Sequence, residues 1–204
     1  MELHDALTQV SEIRRHVERS ETFRGYRSVP AALSAAVAVL TAALQPAIVA
    51  DPHADPERYL KLWIFAALVS VIVTAGEMVF RCIRIASPRT TRLMLQAVEQ
   101  FLPCVIAGGS VTLVVGLFAP DQVRLLPGLW GVFFSLGLFA SSRLFPRPIL
   151  GVAVYYLVCG LSVLAFAQGD LAFSPWAMGI LFGGGQLMTA ITLYMTLERQ
   201  HGGA

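Results

Sequence analysis

The chain has 204 residues, of which 56% are hydrophobic and only 14% charged, with a formal net charge of +2. That apolar excess excludes an ordinary soluble domain. The absence of an aromatic-interleaved basic domain excludes nucleic acid as a partner. What remains is an all-α polytopic membrane protein, with six transmembrane helices and an amphipathic cytoplasmic N-terminal helix.

Residues 1–29 precede the first span. Within them, residues 2–24 read as the amphipathic helix, because Leu3, Leu7, Val10, Ile13 and Val17 recur at three- and four-residue spacing. Glu12 with His16, and Arg14 with Glu18, add i,i+4 support. Phe23 and Tyr26 stand where an interfacial aromatic belt belongs. This helix can lie on the membrane, cap the bundle or offer a docking face to a protein partner. A secretory signal is not expected, because a long mixed-charge stretch leads into a full-length span.

The hydropathy pattern gives six spans over 30–50, 61–80, 93–118, 125–142, 149–167 and 174–197. Crossing a bilayer takes ~20 apolar residues, or slightly fewer. Residues 30–197 therefore form one transmembrane bundle, and 198–204 a cytoplasmic tail. No soluble domain remains to host a site. The lipid bilayer is the environment such a bundle requires, and self-association into a homo-oligomer is open to it.

Span one is alanine-rich, which favours close packing among neighbours. The loop Asp51-Pro52-His53-Ala54-Asp55-Pro56 is an acidic turn. With Glu57 it gathers potential cation ligands, but its spacing matches no known loop motif and it reads as a solvated turn. Trp130 and Trp176 lie near outer span ends, as interfacial anchors do. Gly179 and Gly183 in span six form a GxxxG tight-packing pair. Two groups of three spans joined by an inward loop also suit an inverted repeat, although the halves show no self-similarity.

Arginines set the orientation. Twelve of them, from Arg14 to Arg199, fall before span one, between spans two and three, between spans four and five, and after span six. Only Arg58, Lys61 and Arg124 fall on the other side. The positive-inside rule then places both termini in the cytoplasm. Fourteen arginines against one lysine is the bias of a GC-rich bacterial genome, which points to a bacterial inner membrane.

Glu77 and Glu99 are the acidic residues inside the spans. A carboxylate so placed is a functional-site hypothesis by default. In span two, Ser70, Thr74, Glu77 and Arg81 share one helix face. Arg81, one turn from Glu77, is its natural counter-charge. In span three, Gln96, Glu99, Gln100 and Pro103 share a face. Pro103 lacks the N–H that would bond the Glu99 carbonyl, so a kink with a freed backbone oxygen is expected beside the carboxylate. Opened backbone next to an acid is how many transporters build ion sites. The two carboxylates are expected to meet across spans two and three and to share a proton or a cation. Arg143 is an alternative counter-charge, and Gln186 in span six can complete the lining.

No enzyme is expected. All four histidines fall outside the spans, no serine sits in a GxSxG setting, and two glutamates alone specify no metal. Cofactors and metals are therefore not expected, and Cys82, Cys104 and Cys159 form no zinc pattern. The leading expectation is a small transporter or channel-like protein, with a proton- or cation-linked carboxylate site in the cytoplasmic half of spans two and three. The alternative is a non-transporting sensor, assembly factor or accessory subunit that acts through helix surfaces or the N-terminal helix.

Overall fold

A computed structural model describes residues 28–84, 88–166 and 171–198. The amphipathic helix expected over 2–24 and the tail after Glu198 lie outside the described residues. The described chain is all-helical, and six of its helices are long and apolar enough to cross a membrane. They are α1 (Ser28–Ile48), α2 (Pro56–Arg84), α3 (Pro88–Phe118), α4 (Leu126–Ser141, long enough together with the turns that extend it over Pro120–Leu144), α5 (Ile149–Phe166) and α6 (Pro175–Thr196). A 3-10 turn, Pro120–Leu125, leads into α4, and another, Ser142–Leu144, leaves it.

The helix boundaries differ from the hydropathy pattern mainly in α2 and α3, which run to 29 and 31 residues. Their polar ends wind as helix but add no apolar signal. Local chemistry starts α2. The Asp55 carboxylate accepts the Arg58 backbone N–H at 3.0 Å, and Pro56 occupies the first turn, where its missing N–H costs nothing. Asp51 likewise accepts the N–H groups of His53 and Ala54 at 2.9 and 3.2 Å. Both loop aspartates are thus engaged by backbone.

Small residues decide which helices approach. Ala31, Ala35, Ala38 and Ala42 form a buried stripe along α1. Against it lies α6, where Cβ atoms added at Gly179 and Gly183 would stand 2.9 Å from Ala42 Cβ and 2.8 Å from Val39 Cγ2. The GxxxG pair thus serves the α1–α6 contact. α4 and α5 also pack extensively. There a Cβ on Gly160 would come within 2.9 Å of the Gly128 carbonyl oxygen and the Val132 nitrogen. Ser135, fully buried, donates from α4 to the Ala153 carbonyl of α5 at 2.8 Å.

α1 also packs on α2, α3 packs on α4, and α5 meets α6, whereas α2 and α3 touch sparsely. The centre between α4, α5 and α6 is filled by aromatic rings. The Phe134 ring centroid lies 5.1 Å from Phe101 and 5.9 Å from Phe182, both edge-on, and 4.6 Å from the tilted ring of Tyr156. A second core lies towards the end opposite Arg81 and Arg143, around Ala42, Tyr59, Trp63, Leu126, Phe173 and Met178.

α6 is not a uniform α-helix. After the turn Pro175–Met178 it widens to a π-helix over Gly179–Gly184, returns to α over Gly185–Leu193, and widens again over Tyr194–Glu198. The glycine run permits this. Tyr155 lies over Gly184 and donates its hydroxyl to the Ile180 carbonyl, and the Tyr156 ring lies over Gly185.

Candidate functional site

The polar face of α2 continues a packed one. Tyr59, Trp63 and Ala66 are buried on a single row whose next members are Ser70, Thr74, Glu77 and Arg81. These last four are only half-buried. Ser70 returns its hydroxyl hydrogen to the Ala66 carbonyl at 3.0 Å, the common fate of a helical serine with no external partner. Glu77 and Arg81 form an ion pair through Oε1 and Nε. Their side chains are 31% and 14% exposed, so the pair is screened less than a surface bridge.

The row one step round α2 shows how this helix meets α3. At one end the Leu60 Cδ2 lies 3.6 Å from the Cβ position of Gly116. At the other, Cys82 Sγ lies 3.3 Å from Met94 Sδ. Leu60, Ile64, Met78 and Cys82 on this row are half-buried, yet Ala67, Val71 and Ala75 between them are exposed. The two helices therefore touch at both ends and part at mid-height. Glu77 lies on the adjoining row, at the height of Met78.

α3 presents its glutamate elsewhere. Its packed face carries Met94, Ala97, Gly108 and Thr112, all buried. Thr112 receives the Trp130 indole N–H at 2.7 Å, tying α3 to α4. At about 100° per residue, Glu99 stands roughly 200° from both Ala97 and Phe101. It is exposed, as are Gln100 and Pro103, while Gln96 is half-buried. The helix runs unbroken through Pro103. Counted inward from Phe118, Glu99 lies about 28 Å along the axis, near the far edge of a ~30 Å hydrocarbon layer. Were α3 to cross such a layer from Phe118, Glu99 would stand near its boundary.

The remaining site residues are dispersed. Arg143 is exposed in the 3-10 turn after α4. Gln186 is half-buried on α6 and approaches the Tyr156 hydroxyl, which is itself buried without a well-formed hydrogen bond. Of the expected site, the structure joins Glu77 to Arg81. Among the described residues no hydrogen bond or ion pair joins Glu77 to Glu99, and no three His, Cys, Asp or Glu side chains converge as metal ligands would.

No known protein family, curated protein or solved structure matches this chain.

Sequence reasoning missed a polar node. Gln45 is 1% exposed, yet both ends of its amide are used: Nε2 donates to the Phe173 carbonyl at 2.9 Å, and Oε1 accepts the Trp63 indole N–H at 2.9 Å. Phe173 lies edge-on to Tyr59 at 4.9 Å and to His53 at 5.0 Å. One amide thus fixes α1, α2 and the segment entering α6. The available signal was a lone glutamine in an alanine-rich span, which in a membrane must find partners.

Proposed function

We propose that this is a multi-pass protein of a bacterial cytoplasmic membrane with both termini in the cytoplasm. In this reading it works as a small transporter or channel-like protein, with a proton- or cation-linked carboxylate at the cytoplasmic end of α2 and α3. The apolar exterior supports membrane insertion: Phe65, Ile72 and Phe118 are exposed at 67%, 68% and 79%. Patches of that kind are what hydrocarbon, rather than water, solvates. The arginine asymmetry supports the orientation.

The observation that carries the transport reading is Glu77 itself. A half-buried carboxylate held by Arg81 closes the polar row of Ser70 and Thr74, next to the row on which α2 meets α3. When a cation or proton neutralises Glu77, Arg81 is released, which couples occupancy to the seam between the helices. Flux through the purified full chain in lipid vesicles tests this. Glu77→Gln removes coupling to the ion or proton gradient, and Glu99→Gln, at the boundary, reduces it less. Wild-type coupling in both variants sinks the reading.

A second reading has its own observation. The centre of α4, α5 and α6 is closed by Phe134, Tyr156 and Phe182, and the outward stripe of α3 looks away from it. A sensor or accessory subunit uses its outer surfaces in this way. Deleting residues 1–24 discriminates: loss of a co-purifying protein with the bundle intact favours this second role.

A further inference from the structure

Two rows of positions seven residues apart run along the outward face of α3. Arg92, Glu99, Ile106 and Leu113 form one row, and Gln96, Pro103, Ser110 and Leu117 lie four residues after them. This is the spacing of the a and d positions that build a seam between two parallel helices. Seven of the eight are exposed and Gln96 is half-buried. Ile106, Leu113 and Leu117 are exposed at 58%, 61% and 67%. α3 is also the least buried span, with 6% of its most apolar window inside the fold.

The chemistry along that seam is divided. The half towards Phe118 is apolar, with Ser110 as a small residue beside Gly109, where an added Cβ meets nothing within 4 Å. Small residues let two backbones approach in lipid. The half towards the arginines is polar and carries both signs. Arg92 and Glu99 lie two turns apart on one row, and no ion pair joins them within the chain. Gln96, between them, has an amide that donates and accepts.

We infer that a second copy of this chain covers the face, in a two-fold dimer built on parallel α3 helices. The inference rests on the membrane insertion proposed above, which gives both copies the same orientation and so sets the two-fold axis along the membrane normal. Such an interface is isologous: the same patch must complement itself. This one does. Across the axis Gln96 donates to the other copy's Glu99 and accepts from its Arg92. The Glu99 carboxylates meet at one level, with Arg92 and Gln96 of both chains as compensating donors. The Glu99 carbonyl, which has no N–H from Pro103, is a further acceptor on the same face. Towards Phe118, the Ile106, Leu113 and Leu117 side chains interlock around Ser110.

The test counts subunits of the labelled full chain in lipid vesicles by single-molecule photobleaching. Two steps are expected at protein densities where single steps would mark monomers. Glu99→Arg, which sets four cations on the seam, and Ser110→Phe, which wedges it, are each expected to lower dimer association at least tenfold. With Cys82, Cys104 and Cys159 replaced by serine, Leu113→Cys is expected to cross-link into a dimer under mild oxidation, and Ile72→Cys, on the outward side of α2, is not. Single-step bleaching of the wild type, equal cross-linking at both positions, or no loss in either seam variant overturns the dimer. Flux reports separately on Glu77. A monomer with Glu77-dependent flux sinks only the dimer, and a dimer without flux sinks only the transport reading. A chain extracted from membranes by carbonate sinks the insertion on which both rest.

Discussion

Trp63 donates its indole N–H to the Oε1 of Gln45 across 2.9 Å, inside the core at the end of the bundle opposite Arg81 and Arg143. The bond fixes both the rotamer of the amide and the tilt of α2 against α1. It also orients the Gln45 Nε2 towards the Phe173 carbonyl, 128 residues on.

Gln45→Ala is therefore expected to destabilise the protein by about 2–4 kcal/mol, because it leaves the Trp63 N–H and the Phe173 carbonyl buried without partners. Trp63→Phe, which removes a donor but keeps most of the ring, is expected to cost less. Thermal unfolding in detergent micelles measures both. A double-mutant cycle showing no coupling between the two positions would rule out the bond as the link.

The glycines divide into two groups with opposite expectations. Gly160→Ala sets a methyl 2.9 Å from backbone atoms of α4 that cannot swing away, and is expected to cost about 1–3 kcal/mol. Gly76→Ala meets nothing within 4 Å in the middle of α2, and is expected to stabilise by about 0.5–1 kcal/mol through helix propensity alone. Melting temperatures of the two variants should move in opposite directions.

The Tyr59 hydroxyl is buried with no hydrogen-bond partner. Its ring, against Phe173, supplies the packing. Tyr59→Phe is accordingly expected to leave stability unchanged or to raise it by up to about 1 kcal/mol, in contrast to the usual loss when a bonded hydroxyl is deleted. A drop in melting temperature would mean that the hydroxyl has a partner in the folded protein.

Arg81→Leu leaves Glu77 half-buried beside an apolar side chain. A loss of about 1–3 kcal/mol is expected. Glu77→Gln, which keeps a hydrogen-bond acceptor for Arg81, is expected to cost less. Unfolding at low and high salt separates the terms, since a half-buried pair is screened less than an exposed one such as Glu57–Lys61.

The six helices were readable because hydropathy integrates over ~20 residues and survives errors at single positions. The Glu77–Arg81 pair was readable because i,i+4 geometry is local. The direction of Glu99 was not. Its neighbours Gln96, Gln100 and Pro103 do share its side of the helix, but the phase of α3 relative to the bundle is set by Gly108 against Phe133 and Thr112 against Trp130, contacts that a one-dimensional pattern does not contain. Trp130 shows the same limit. Its position near a span end suggested an interfacial anchor, whereas its indole N–H is committed to Thr112. The lengths of α2 and α3 were underestimated because a polar helical turn and a polar loop have the same hydropathy.

The widened turns of α6 act as a phase shifter. An ideal helix presents a fixed sequence of faces, so a row that fits α1 would keep facing α1 along its whole length. The π-helical stretch Gly179–Gly184 absorbs surplus residue in its turns and resets that rotation. Gly179 and Gly183 can then serve α1, while Gly184 and Gly185 serve the two tyrosines of α5. Deleting one residue within 179–184 would therefore restore regular winding and leave the downstream phase unchanged, whereas deleting one between Gly185 and Thr189, where the winding carries no surplus, would turn everything after it by about 100°. Ala190 and Leu193 would leave the core together, although neither had been altered.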